Sequence, residues 1–146
     1  MIDTFVRPDI ATFDKFWGDR LSQYDDSLTL AYLLEPFEPD ILTHGKPSAY
    51  PPNRYLAVFP SNLYLGWTKP SADEFMADAI RRSAASLFEA GIRDGQDLKN
   101  AATYVNYALF GTPLKAMYGD HLELLREIKK KYDPDDVMGL AGGWKF

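Results

Sequence analysis

Tyr104-Val105-Asn106-Tyr107, followed by Met117-Tyr118-Gly119, the run Leu122 to Tyr132 and then Asp133-Pro134, is the stretch on which the fold reading turns. Side chains alternate along a strand, so the first four residues read as a strand with Tyr104 and Asn106 on one face and Val105 and Tyr107 on the other. Gly111 and Pro113 mark an irregular passage after it. Leu122, Leu125, Ile128 and Tyr132 recur at helical spacing, with Asp120 as the expected N-cap and Glu123 as its capping-box partner. Lys129, Lys130 and Lys131 fall where the helix dipole favours cations, and Pro134 ends the helix.

The chain before this stretch fills in the rest of the plan. Ile2 to Val6 reads as a short strand, and Thr12 caps a helix whose Phe13, Phe16, Trp17, Leu21 and Tyr24 share one stripe. Leu28 to Leu34 is an almost continuous apolar run, expected as a central strand covered on both faces. Glu35 at its end is either a general base at the mouth of a strand or a solvated strand terminus. From Pro36 to Pro52 five prolines and a glycine predict a long irregular loop. His44 lies in that loop, as a surface histidine or as part of a pocket lid; no second ligand stands at metal spacing beside it. Tyr55 to Phe59 and Leu63 to Thr68 read as strand, joined as a hairpin or broken by a bulge. Ser71 and Glu74 form a capping box that opens the longest helix, with Met76, Ile80, Ala84, Leu87 and Gly91 as its buried stripe and Arg81 and Arg82 on the solvated side.

Strand, helix, strand, loop, strand, helix, strand, helix is an α+β order. It matches a ferredoxin-like arrangement, an antiparallel sheet with helices packed on one face, in a single domain over 1–146. A 46% hydrophobic fraction supports a core, and 14% aromatic content suits either that core or a pocket wall. The net charge of −5 argues against nucleic acid or anionic membrane as partners, which need clustered cations. The absence of cysteine excludes disulfides, thiolate metal sites and cysteine nucleophiles. Met1 to Asp9 carries two Asp and no apolar run, so neither a signal peptide nor a membrane span is expected and the location reads as cytoplasmic.

Five signals in one order carry a family resemblance: Tyr104-Val105-Asn106-Tyr107, Tyr118-Gly119, Leu122 to Lys131, Tyr132-Asp133-Pro134 and Gly142-Gly143-Trp144-Lys145. Together they resemble the C-terminal end of the berberine bridge enzyme-like flavoprotein oxidases, in their fungal secondary-metabolism branch. A looser patch, Ser48-Ala49-Tyr50 with Arg54 and then Trp67, is similar to the loop and strand before the long helix in that family. The resemblance implies an antiparallel sheet whose helix-free face roofs substrate and flavin. Family members carry a large flavin-binding domain for which 146 residues leave no room. Neither His44 nor His121 stands in a flavin-attachment context, and a histidine of the relatives' Ala-aromatic-Pro loop is replaced here by Pro52 and Asn53. The chain is therefore expected to be the substrate-side domain alone, with no cofactor of its own, and with FAD only if a partner chain supplies it.

By the same resemblance Tyr104 faces substrate and acts in proton transfer. Asn106 can donate a hydrogen bond to its phenol oxygen or to a substrate carbonyl, and Tyr118 adds a second hydroxyl. An unperturbed phenol, with a pKa near ~10, is a poor base at neutral pH. The alternative is that Tyr104 and Asn106 only satisfy backbone groups near a turn. Tyr32, Tyr50 and Trp67 are the aromatic candidates for substrate contact. Three readings follow: a cofactor-free enzyme that isomerises or cyclises a polyketide- or terpenoid-like molecule; half of a split flavoprotein; or a non-catalytic binding protein. A sheet face without its cover is expected to pair with a second copy, a partner chain or a ligand, most simply as a homodimer.

Overall fold

The computed structural model describes residues 27–38, 40–55 and 60–146. The expected strand Ile2 to Val6, the helix after Thr12 and most of the expected strand from Tyr55 to Phe59 lie outside the described residues. The chain divides into two units: the first draws on residues 1–36 and 60–99, the second on residues 37–59 and 100–146.

In the first unit, the apolar run after Ser27 forms strand β1, Ser27–Leu34, and the run before Trp67 forms β2, Ser61–Trp67. They pair antiparallel, Leu30 with Leu65, Tyr32 with Leu63 and Leu34 with Ser61, with one irregularity between Ser27 and Thr29. The Glu35 N–H continues the pairing to the Pro60 carbonyl at 3.0 Å. Residues directly opposite share a face, so Ala31, Leu33, Asn62 and Tyr64 point one way and Tyr32, Leu34 and Leu63 the other. Leu33 is 49% exposed and Tyr64 51% exposed. Among the described residues this face is therefore open at Leu33 and Tyr64, which differs from the reading of β1 as covered on both sides. An unbroken apolar run does not by itself tell a central strand from one with a bare face.

Helix α1, Asp73–Arg93, lies along β2. The expected capping box is absent: a 3-10 turn over Pro70–Ala72 leads in, and Ala72 occupies the N-cap with no side-chain bond. Asp73 instead accepts from the Trp67 indole at 2.6 Å. The buried stripe is Met76, Ala79, Ser83 and Gly91, while Ala84 is exposed. Ser83 takes the place expected for Ala84. Its hydroxyl is fully buried and unbonded among the described residues. Gly91 has a steric role, since a Cβ there would stand 2.5 Å from Leu98 Cδ1.

The second unit contains the proline-rich loop and the C-terminal third. The loop is irregular as expected apart from a 3-10 turn at Ile41–His44, and its Tyr50-Pro51 peptide bond is cis. His44 is exposed and pairs with Asp40 at 3.2 Å, which is its surface reading. Two helices follow, α2 at Leu114–Tyr118 and α3 at Leu122–Tyr132, with Met117 and Leu122 as the buried apolar anchors. Gly119 bends the chain between them at φ +53°, where an L side chain is strained. Asp120 does not cap α3; it lies in a 3-10 turn over Gly119–His121, His121 is the N-cap, and Glu123 pairs with Arg126 at 2.7 Å. Of the expected stripe, Leu122 is buried, whereas Ile128 is 45% and Tyr132 73% exposed.

The expected strand at Tyr104 to Tyr107 is a turn, closed by the Tyr107 N–H on the Tyr104 carbonyl at 3.0 Å. Among the described residues the sheet therefore has two strands. Together with the helices this is an α+β fold, and the described residues do not establish the ferredoxin-like arrangement. No helix among them is long and apolar enough to cross a membrane.

Candidate functional site

The turn accomplishes by a different route what the strand was expected to do. Asn106 Nδ2 donates to Tyr104 Oη at 2.9 Å. A phenol oxygen both accepts and donates, so with Asn106 on its lone pair Tyr104 keeps its own proton for an outside acceptor. The Thr103 N–H bonds the Ala116 carbonyl at 2.9 Å, which ties the approach to this turn to helix α2. Around the phenol stand two more aromatic rings. Tyr107 meets Tyr104 edge-on, with centroids 4.9 Å apart, and Tyr50 lies tilted at 5.8 Å. Such offset contacts hold ring orientations as well as burying area. Burial of the Tyr50 phenol pushes its pKa above the ordinary tyrosine value, and the charge on a neighbouring Tyr104 phenolate adds to the effect.

The structure thus brings Tyr50, Tyr104 and Asn106 together. Tyr118, half-buried at the end of α2, packs edge-on against Phe146, with centroids 5.4 Å apart. Tyr32 and Trp67 belong to the sheet of the first unit, where the Trp67 indole is engaged by Asp73.

A second feature of this unit was marked in the sequence only as a patch of resemblance, without the contacts it makes. Arg54 organises the proline-rich loop: Nη1 donates to the Leu42 carbonyl at 3.0 Å, and Nη2 donates to Ser48 Oγ and to the Tyr50 carbonyl. Gly45 makes this possible, because a Cβ there would lie 2.8 Å from Nη1. From the N-cap of α3, His121 Nδ1 bonds the Ala49 carbonyl at 2.9 Å. Arg54, His121, Ser48, Asn53 and the surrounding prolines line a cleft of about 290 Å³. The sequence signals were the looser Ser48-Ala49-Tyr50 and Arg54 patch and a histidine before a helix. Neither discloses a contact spanning 72 positions.

The C-terminal signature is structural. Asp133 Oδ1 accepts from the Val137 N–H at 2.7 Å and Oδ2 from the Met138 N–H at 3.1 Å, so one carboxylate caps the turn after Pro134. Lys129 Nζ bonds Asp133 and reaches Asp136 at 2.7 Å. Lys145 from the Gly-Gly-Trp-Lys tail bonds the Gly139 carbonyl. The hydrogen bond from Lys129 holds both carboxyls below the usual range, and Asp133 holds the Lys129 amine above its own.

Of the two histidines, His44 is engaged by Asp40 on an exposed turn and His121 by the Ala49 carbonyl.

The family model described as "Berberine and berberine like" matches residues 103–141. A protein of Pyricularia oryzae named as an FAD-linked oxidoreductase is 45% identical over 62 residues, which are 40% of this chain and 11% of that relative. No solved structure matches the chain. The matched segment holds the Tyr104 turn, α2, Gly119, α3 and the Asp133 cap, and over this segment the chain is similar to the berberine-like family while spanning about a tenth of the Pyricularia relative's length.

Proposed function

We propose that the second unit binds a small carbonyl-bearing molecule of polyketide or terpenoid type beside Tyr104 and promotes its redox-neutral cyclisation. The observation that carries this reading is the hydrogen bond from Asn106 to the Tyr104 oxygen. It fixes the phenol and leaves the O–H to polarise a substrate carbonyl. In a Diels-Alder-type closure two σ bonds form from two π bonds within the substrate, so composition is unchanged and Tyr104 lends a hydrogen bond without losing its proton. Flanking rings supply the apolar restraint that such a closure needs, and a donor placed where charge develops lowers its barrier. Purified protein incubated with unsaturated ketones of this class is expected to yield a product of unchanged mass. A product two hydrogens lighter, formed only when a flavoprotein is added, would sink the reading.

The name of the Pyricularia relative, an FAD-linked oxidoreductase, favours a second reading, oxidoreduction with a flavin held outside the described residues. Here Tyr104 would orient the substrate hydroxyl or carbonyl, and the flavin would supply the redox chemistry.

A further inference from the structure

We propose that the cleft between the proline-rich loop and His121 is a binding site for a small hydroxy-acid anion, with its carboxylate on Arg54 and its hydroxyl donating to His121 Nε2. Arg54 is half-buried, and its three bonds go to uncharged oxygens: two backbone carbonyls and a serine hydroxyl. These use three of the five guanidinium N–H groups and neutralise none of the charge. A partly desolvated cation with no carboxylate against it among the described residues stabilises an anion that brings one. This positive site sits in a chain whose net charge is −5, so it is a local device and not part of a basic surface.

His121 supplies the second half of the recognition. The Ala49 carbonyl can only accept, so the bond at 2.9 Å places the ring proton on Nδ1. In the neutral ring Nε2 then carries a lone pair, and no described residue donates to it. The imidazole is held in one orientation by backbone and lines the same cleft as Arg54. A lone anion would use the arginine only; a hydroxy acid satisfies both groups. Pro51 and Pro52 offer rigid apolar walls between them, and Pro51 is itself buried. The site is distinct from Tyr104, which does not line the cleft, so its occupancy and the turnover proposed above can fail independently.

The test is NMR titration of the full chain with 2-, 3- and 4-hydroxybenzoate, which set the hydroxyl at three distances from the carboxylate, against benzoate and phenol. At least one hydroxybenzoate is expected to bind about ten-fold more tightly than either control, a loss of roughly 1.4 kcal/mol for each missing group. Its shifts should cluster at residues 43–55 and at the His121 ring nitrogens, and His121→Phe should reduce its affinity to that of benzoate. Equal binding of benzoate and all three isomers, no binding at all, or shifts centred elsewhere would overturn the proposal. The wild-type comparison decides the matter even if the variant loses the Ala49 tie and loosens the loop.

Discussion

Asn106 and Tyr104 bond side chain to side chain across a turn that also closes through backbone, Tyr107 N–H to Tyr104 carbonyl. Two residues apart on a strand they would share a face at about 7 Å; the turn draws them into contact at 2.9 Å. Asn106→Leu removes the amide from the phenol oxygen. Because Asn106 is exposed, stability should change by less than about 1 kcal/mol in a urea melt, while turnover on an accepted substrate falls several-fold. Unchanged turnover would mean that the bond only shapes the turn.

The raised Tyr50 pKa can be read by ultraviolet titration. One phenol should ionise above the ordinary value of ~10, and Tyr104→Phe should lower it part of the way by removing the neighbouring charge, leaving the larger effect of burial. An unchanged pKa of the high-titrating phenol in the variant would contradict the packing of the two rings.

Gly119 combines two constraints, φ +53° and a Cβ position 2.9 Å from the Pro52 side chain. Gly119→Ala should therefore cost about 1–3 kcal/mol, measured as a lower urea midpoint with unchanged slope. A neutral outcome would mean that the proline-rich loop does not rest on this turn.

The ion pairs of Lys129 give a signed pH dependence. Asp133 and Asp136 have folded pKa values below their unfolded ones, so their contribution is present above about pH 4 and is lost as pH falls through the folded values. Lys129 has a folded pKa above its unfolded one, so its contribution is present below about pH 10 and is lost as pH rises through the folded value. Asp133→Asn should lower the urea midpoint at neutral pH and flatten its fall in acid. An acid limb as steep as the wild type's would assign the acid sensitivity to other carboxylates.

How far these features could be read in advance depended on the range of the forces behind them. β1, β2 and α1 are elements of seven residues or more, long enough for periodicity to speak. Tyr104-Val105-Asn106-Tyr107 has four residues, and a polar-apolar alternation that short is shared by strands and open turns. The capping boxes at Ser71 and Asp120 failed because short 3-10 turns precede both helices and shift the true N-caps to Ala72 and His121. Tyr104 with Asn106 was singled out through the family resemblance of its motif. The grip of His121 on Ala49 and of Arg54 on Leu42 depends on how distant segments meet, which no window of sequence contains.

The most direct measurement of the central claim is turnover by Tyr104→Phe, using a substrate that the wild type converts at constant mass. The expected result is a fall of about 10- to 100-fold with folding intact, the effect of losing one donor while the aromatic enclosure remains. Wild-type turnover in the phenylalanine variant would contradict it, and Tyr104 would then be a packing residue of the turn.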